Sequence, residues 1–337
     1  MITRRFALRA TPAAALFAQF QGFSAPATAQ DKPVFSFGVI ADPQYAPVVP
    51  NLTLKRYYAN TLWKLSEAVT TFNKENLAFV VTLGDIIDRH WESYAHVLPL
   101  YDKLKADRFF LLGNHDYSVA PDFLASVHRT VGLRSAHYDF VGGGYRFVVL
   151  DQNELTLFAN APGSANHGLA GQKLAAMKAK GAINAQPYNG AMSDAQFAWL
   201  EQTLAKAQAA GEKAIVMGHY PIFPFNLDAN MLDDVRLVET LGRFPNVVAY
   251  LNGHHHPGNY GETGGKHFLN FCGMVDTPDT TAFSVVDVFD DLVSPRPYKE
   301  AWDASDAIDT IRKGSGTQFD PTVVAAFLAI YKRGDFD

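Results

Sequence analysis

Short apolar runs alternate with longer amphipathic stretches along the chain from residue 35 onward. The apolar runs are rich in valine, isoleucine, phenylalanine and leucine and are bounded by turn-forming residues, which is typical of buried β-strands. They predict strands at 35–41, 78–84, 108–112, 146–150, 213–217, 247–252, 267–271 and 282–289. Apolar positions with helical spacing predict helices near 53–74, 91–105, 193–210, 232–243 and 321–332.

The clearest helix lies in SDAQFAWLEQTLAKAQAAG, residues 193–211. Ser193 and Gln196 form a capping box at its start, and Gly211 is a natural end. Because strands alternate with helices, the pattern predicts a layered α/β domain. Residues 158–192 predict a long irregular insertion, which is either a surface loop or a wall over a site.

The first 29 residues differ from the rest of the chain. They carry three arginines and no acidic residue, then an alanine-rich apolar stretch and an Ala-x-Ala sequence ending at Ala29. This order predicts an export signal at residues 1–29, and the Arg4-Arg5 pair resembles a twin-arginine signal that the Tat export machinery recognises. Export by the Sec route and a disordered N-terminus are the alternatives. We therefore expect an exported bacterial protein, periplasmic or extracellular, with no membrane span after the signal is removed.

Composition narrows the possible partners. The chain has 337 residues, of which 48% are hydrophobic and 19% charged, so it is long enough to bury a large core. The formal charge of −5 becomes −8 when three arginines leave with the signal, and we expect no nucleic-acid partner. Cys272 is the only cysteine, which excludes an intramolecular disulfide and a cysteine-based zinc cluster.

Polar side chains that can bind metal ions follow five of the predicted strands. In chain order, the residues concerned are Asp42, Gln44, Asp85, Asp88, Asn114, His115, Asp116, His219, His254, His255 and His256. The carboxyl ends of strands in open α/β sheets face one crevice, so these side chains are expected to converge. Turn chemistry explains any one of these motifs, but it does not explain five strand ends of this kind.

The donor types indicate a pair of divalent cations. Oxygen and imidazole donors without a thiolate favour manganese, with iron or zinc as alternatives. Two cations about 3.5–4 Å apart need a carboxylate that bridges them. If residues 254–256 are extended, His254 and His256 point to the same side and His255 to the other. The first and third histidines are therefore the predicted ligands.

The ordered motifs Asp-x-Gln, GDIID, GNHD, GH and GHHH resemble those of the calcineurin-like metallophosphoesterases. That family uses Asp-x-His, Gly-Asp-x-x-Asp, Gly-Asn-His-Asp/Glu, Gly-His and Gly-His-x-His. The resemblance covers about residues 35 to 290 and implies a four-layer α/β/β/α metallophosphoesterase sandwich with a dinuclear metal site. It also implies a catalytic domain at residues 30–290, with residues 291–337 as a C-terminal extension that packs on it.

The resemblance further implies a role for each matching position. One cation would be held by Asp42, Gln44 and His256, the other by Asn114, His219 and His254, and Asp85 would bridge the two. His115 would protonate the leaving oxygen or stabilise charge on the phosphoryl group, and Asp88 would orient His115. A hydroxide that bridges the metals would attack phosphorus.

Gln44 stands where most of the superfamily has histidine. Together with RYY at 56–58, LGDIIDR, GAMSDAQFAWLEQTL and VDTPDTTAF, it resembles the manganese-dependent ADP-ribose/CDP-alcohol diphosphatases, in which Asp-x-Gln is normal. This branch implies cleavage of a phosphoanhydride or phosphodiester bond in nucleoside-diphosphate-linked substrates. An amide oxygen is harder than imidazole, which also favours Mn²⁺.

Contacts with a small phosphoester or nucleotide substrate are less well marked. Aromatic candidates for stacking a base are Tyr45, Tyr58, Tyr220 and Phe223, with ordinary core packing as the alternative. Arg89 and His90 follow GDIID and are candidates for phosphate contact, and Cys272 is either a pocket residue or a buried thiol.

Two other functions fit parts of the sequence. A broad-specificity exported phosphodiesterase or phosphomonoesterase for phosphate scavenging would suit the export signal. A non-catalytic metal-binding protein on the same scaffold is opposed by the intact ligand set and by His115.

Overall fold

Two sheets form the centre of the protein in the computed structural model, which describes residues 2–8 by their backbone and residues 33–288. The strands run in chain order as β1 Ile2–Leu8, β2 Phe35–Ile40, β3 Phe79–Leu83, β4 Asp107–Leu111, β5 Tyr138–Gly142, β6 Tyr145–Val149, β7 Lys213–Met217, β8 Val247–Asn252, β9 Asn259–Thr263, β10 Lys266–Asn270 and β11 Ala282–Val288. The first sheet has the order β1-β11-β2-β3-β4, and the second has the order β5-β6-β7-β8-β10-β9.

Parallel pairing aligns the strand ends in each sheet. Strands β2, β3 and β4 are parallel neighbours, and so are β6, β7, β8 and β10. Strand β11 joins β2 in antiparallel fashion, while β5 and β9 are antiparallel edge strands of the second sheet. The loops after the parallel strands of each sheet therefore emerge at one edge.

Helices cover the outer face of each sheet. Their bounds are α1 Thr61–Phe72, α2 Tyr94–Tyr101, α3 Val127–Thr130, α4 Ala165–Ala179, α5 Asp194–Ala209 and α6 Asp234–Gly242. Phe37 and Phe79 of the first sheet pack with Phe147 of the second, so apolar side chains fill the space between the sheets. Leu65 and Leu200 belong to separate outer clusters under the helices. The predicted four-layer sandwich is confirmed.

All eight predicted strands form, but the sequence pattern missed some elements. The edge strands β5 and β9 carry polar residues and glycine, so they lack the apolar run that marked the others. The prediction that 158–192 is irregular is wrong for α4, whose start is capped by the Ser164 side chain. Gly168 and Gly171 obscured this helix, because glycine has a low helix propensity.

Several predictions fall where the structure describes little or nothing. The helix predicted at 321–332 and the C-terminal extension at 291–337 lie outside the described residues. Of the predicted export signal, only residues 2–8 are described, as a strand beside β11, and the signal stays a prediction. Among the helices of the described part, none is both long and apolar enough to cross a bilayer.

Candidate metal centre

The strand ends of both sheets meet, as the motifs predicted. Asp42 and Gln44 follow β2, and Asp85 follows β3. Residues 219 and 254–256 follow β7 and β8 of the other sheet. Hydrogen bonds join the two sets, since the His254 amide donates to both Asp42 carboxylate oxygens at 3.1 and 3.0 Å. The centre is therefore assembled across the two sheets.

Backbone strain is concentrated at this centre. Asp42, Gln44, Asp85 and His254 have positive φ angles of 48, 43, 51 and 65°. Residues with a Cβ atom rarely adopt this conformation, and each costs about 1–3 kcal/mol unless its surroundings hold it. Here hydrogen bonds hold the strained backbone, such as the one from the Gln44 backbone amide to the Asp85 backbone carbonyl at 2.8 Å. Strain of this kind is typical of functional sites.

Two glycines let the backbone approach the carboxylates. A Cβ atom on Gly113 would overlap Asp85 Oδ1, and one on Gly253 would lie 2.5 Å from Asp42 Oδ2. The glycines of GNHD and GHHH are therefore required by space rather than by turn preference alone.

The Asp85 carboxylate lies between two groups of side chains. Its Oδ2 accepts a hydrogen bond from Gln44 Nε2 at 2.8 Å and lies 3.4 Å from His219 Nε2. Its Oδ1 accepts from the His115 amide at 2.8 Å. This position between two ligand groups is what a bridging carboxylate requires.

The first group contains Asp42, Gln44 and His256. His256 Nε2 lies 3.2 Å from Gln44 Nε2 and 3.8 Å from Asp42 Oδ1. Behind it, His256 Nδ1 bonds to the Asp276 carboxylate at 2.8 Å. Arg56 Nη1 donates to Gln44 Oε1 at 2.5 Å, so a guanidinium reaches the edge of the group.

The second group contains Asn114, His219 and His254. His219 Nε2 lies 3.2 Å from Asn114 Oδ1 and 3.2 Å from His254 Nδ1. His219 Nδ1 bonds to the Leu83 carbonyl at 2.9 Å, which orients the ring. Ligand atoms of Asp85, His219 and His254 all lie within 4.8 Å of one another, a cluster able to hold a cation.

The electrostatics favour the forms that bind metal at two of these residues. Burial raises the pKa of Asp85, but the neighbouring His219 and His115 outweigh burial and hold the Asp85 pKa well below its usual range. Burial and the neighbouring His219 lower the pKa of His254. Burial also lowers the pKa of His219, but the neighbouring Asp85 carboxylate outweighs burial and raises this pKa to about 9. Cation binding at His219 therefore releases a proton.

The residues present fit two divalent cations. Oxygen and imidazole donors form two groups around one shared carboxylate, which is the donor chemistry of a dinuclear site. Gln44 is the exception, because its amide nitrogen rather than its oxygen faces Asp85 and His256. A cation there requires the oxygen, which Arg56 engages in this structure.

His115 lies beside the two groups and has its own support. Its Nδ1 lies 3.1 Å from Asp88 Oδ1, and Arg89 Nε donates to Asp88 Oδ2 at 2.5 Å. The His115 side chain is 30% exposed, so it can reach a substrate. Burial lowers its pKa, but Asp85 and Asp88 outweigh burial and raise the pKa above its usual value. The ring is therefore suited to donate a proton or hydrogen bond.

Three of the four aromatic candidates are buried, with Tyr58 5%, Tyr45 4% and Tyr220 0% exposed. Tyr58 lines a pocket of about 390 Å³ together with Arg89, whose guanidinium lies 5.7 Å from the ring centroid. Tyr45 and Tyr220 are buried, and their hydroxyl groups bond to His96 and Asn153 respectively. Base stacking by these two finds no support, because their ring faces are covered by protein.

Phe223 packs on Phe268 and Phe225, with ring centroids 5.1 and 5.3 Å apart, which also favours a role in packing. Cys272 and His256 both line a second cavity, of about 220 Å³. Two residues of the centre were missed as participants, Arg56 and Asp276. Arg56 lies in the segment RYY and Asp276 in the segment VDTPDTTAF, and the local pattern of these segments gives no sign of contact with a ligand.

Comparison with known proteins agrees with this geometry. Residues 35–258 match the family model of the calcineurin-like phosphoesterases, and the chain belongs to that family. A manganese-dependent ADP-ribose/CDP-alcohol diphosphatase of Mus musculus is 31% identical over 80% of this chain and 91% of its own length. The Arabidopsis thaliana protein of the same name is 29% identical over 79% of this chain and 95% of its own.

The fold also matches a solved structure. A dimetal phosphatase from Danio rerio superposes with a TM-score of 0.68 and 24% identity, covering 77% of this chain and 94% of the other. The predicted resemblance is thus confirmed. The chain is a metal-dependent hydrolase of the dimetal phosphoesterase class.

Proposed function

We propose that this chain cleaves a phosphoanhydride or phosphodiester bond in nucleoside-diphosphate-linked substrates, such as ADP-ribose or CDP-alcohols, with two Mn²⁺ ions. The observation that carries the proposal is a pair of guanidinium groups beside the metal centre. Arg56 contacts Gln44, and Arg89 contacts Asp88, the partner of His115. A phosphomonoester needs one phosphate site, whereas a diphosphate offers a second phosphate, which guanidinium groups bind well.

Each part of the centre has a role in this proposal. Asp42, Gln44 and His256 would hold one cation, Asn114, His219 and His254 would hold the other, and Asp85 would be shared by the two groups. When bound, the cations supply an activated water and neutralise phosphoryl charge. His115 donates to the leaving oxygen, and Asp88 keeps its ring in that orientation.

The pocket beside Arg89 suits the part of the substrate beyond the phosphates. Tyr58, Val49 and Leu52 line it, which gives it aromatic and apolar surface next to the guanidinium. Val49 and Leu52 are 83% and 72% exposed, so they are free to pack against a nucleoside or an alcohol. The relatives named as diphosphatases support this substrate class. The scavenging alternative finds no such support among them.

The test is Mn²⁺-supplemented hydrolysis of ADP-ribose, CDP-choline, a cyclic nucleotide, bis-p-nitrophenyl phosphate and p-nitrophenyl phosphate. We expect kcat/KM for the first two to exceed that for the simple esters by about 100-fold, because a second phosphate adds charge-assisted hydrogen bonds. Arg56→Met should reduce this preference. Arg236→Met is the matched control, since Arg236 bonds to Asp194 on the outer helices. Equal turnover of the simple esters would contradict the proposal.

A further inference from the structure

Lys64 on α1 is a buried lysine with an unusual set of partners. Its side chain is fully buried, and its Nζ lies within hydrogen-bonding distance of consecutive backbone carbonyls, those of Met274, Val275, Asp276 and Thr277, at 2.8, 3.2, 2.6 and 2.7 Å. An ammonium group has three donors and no acceptor, so this ring of oxygens satisfies it fully. Burial without such partners would cost several kcal/mol.

The segment 274–277 is held in a conformation that it would not keep unaided. Thr277 is β-branched and has a φ of 70°, a genuine outlier for such a residue. Four carbonyl dipoles that point at one place repel one another unless a cation lies between them. The Lys64 ammonium is that cation, and it offsets the strain of the segment.

The same segment supports the first ligand group from behind. Its Asp276 carboxylate bonds to His256 Nδ1 at 2.8 Å. The Val275 amide donates to the Asp42 carbonyl at 3.0 Å, and the Val275 carbonyl accepts from the Tyr57 amide at 3.0 Å. Arg56 pairs with Asp276 in an isolated antiparallel bridge. The position of the segment therefore sets the positions of His256, Asp42 and Arg56.

We propose that Lys64 is a positioning residue for the first metal group: by gathering the carbonyls of residues 274–277, it holds Asp276 against His256 and so sets the cation affinity of that group. This inference rests on the ligand assignment given under the proposed function. Among the described contacts, the Lys64 ammonium touches backbone carbonyls and none of the proposed metal ligands. Carboxylate partners of ligating histidines typically change metal affinity 10- to 100-fold when removed.

No ligand of the second group contacts Lys64 or residues 274–277 directly among the described contacts, and His254 is connected to them only through its backbone bond to Asp42. His219 is oriented by the Leu83 carbonyl, and the Tyr220 ring packs on His254 with centroids 4.7 Å apart. Loss of Lys64 should therefore affect the two cations unequally. A lysine with a merely structural role would alter both sites together or neither.

The chain offers a matched control in Lys266. This lysine is also buried, and its Nζ donates to the carbonyls of Phe244 and Val247 at 2.8 and 3.0 Å. It stands at the start of β10, whereas the ligands follow the ends of the strands. Lys266→Met thus removes a buried ammonium of the same kind at the other end of the sheet.

The experiment measures Mn²⁺ binding to the metal-stripped full chain, without substrate, by calorimetry and electron paramagnetic resonance. We expect Lys64→Met to weaken one of two Mn²⁺ ions about 10- to 100-fold and to leave the other within about twofold. Lys266→Met should leave both ions unchanged. Asp276→Asn should reproduce the Lys64→Met effect, and the double variant should add little to either, because both act through one contact.

Unchanged affinities in folded Lys64→Met, or equal weakening of both ions, would overturn the inference. If Lys64→Met does not fold, Lys64→Arg serves in its place, because its larger planar guanidinium keeps the charge but not the geometry of the carbonyl ring. That variant should show the same selective weakening, and wild-type binding would contradict the inference. Because no substrate is used, a wrong substrate class would leave this result unaffected.

Discussion

The two ligand groups of the metal centre differ in what lies behind them. Charged side chains support the first group. Asp276 contacts His256, Arg56 contacts Gln44, and Lys64 contacts the Asp276 carbonyl. The second group is backed by neutral groups, the Leu83 carbonyl on His219 and the Tyr220 ring on His254. The supports also differ in exposure to solvent, since the Asp276 side chain is 30% exposed whereas Leu83 and Tyr220 are fully buried.

This difference predicts unequal behaviour of the two cations. Neutral, buried supports change little with salt or with substitution at the surface. Charged, partly exposed supports are screened by salt and can be altered one at a time. We therefore expect the cation of the first group to bind more weakly and to respond to its surroundings, and that of the second group to stay fixed.

Asp85→Asn should weaken the two cations alike and so remove the difference between them, because both groups share this carboxylate. We expect both Mn²⁺ ions to weaken and kcat/KM to fall by at least about 10³-fold, since the cations supply several kcal/mol of transition-state stabilisation. Elemental analysis and steady-state kinetics measure the two effects. Asp234→Asn, a buried aspartate on α6, is the control and should keep both metals. An active Asp85→Asn enzyme would sink the assignment of the whole centre.

His115→Ala should separate catalysis from metal binding. His115 lies outside both groups, so we expect two Mn²⁺ ions to remain while kcat falls about 10²- to 10³-fold through loss of the proton donor. Asp88→Asn should give a smaller loss, because the ring loses a partner but stays in place. Loss of metal from His115→Ala, measured by elemental analysis, would instead place this histidine among the ligands.

Asp276→Asn and Tyr220→Phe form a matched pair that tests the unequal supports. Asp276→Asn weakens the charged backing of His256, and one Mn²⁺ ion should bind about 10- to 100-fold more weakly. Tyr220→Phe removes only the hydroxyl bond to Asn153 and keeps the ring against His254. Both Mn²⁺ affinities should then stay within about twofold of wild type. Calorimetric titration with Mn²⁺ that shows similar losses for both variants would remove the distinction between the groups.

The ligands of both groups and the residues that support them differ in how far the sequence predicted them. Every proposed ligand follows a strand, and parallel strands open at one edge, so a local pattern was enough to predict that the ligands meet. The supports follow no such rule. Lys64 and Asp276 are 212 positions apart, and nothing near either residue indicates the contact.

Proximity in sequence to a motif also proved a poor guide to accessibility. Tyr45 and Tyr220 adjoin the motifs, yet their rings face the protein interior. Arg56, twelve positions beyond Gln44, reaches the centre because residues 51 and 56 pair with each other and residue 56 also pairs with 276. The side toward which a loop residue points depends on tertiary pairing, which the local pattern does not contain.

Among the variants expected to change Mn²⁺ affinity, Arg56→Met should give the smallest change, and it should strengthen binding rather than weaken it. Arg56 engages Gln44 Oε1, the atom that a cation in the first group needs, and its charge opposes that cation. Its removal should therefore tighten one Mn²⁺ ion about two- to fivefold, the range of a partly exposed charge contact. The same variant should raise KM for ADP-ribose, because the guanidinium no longer meets the substrate phosphates. Tighter metal binding with weaker substrate binding, measured by Mn²⁺ titration and kinetics, distinguishes this role from a structural one. Weaker binding of both Mn²⁺ and ADP-ribose would show that Arg56 instead holds Gln44 in place for the cation.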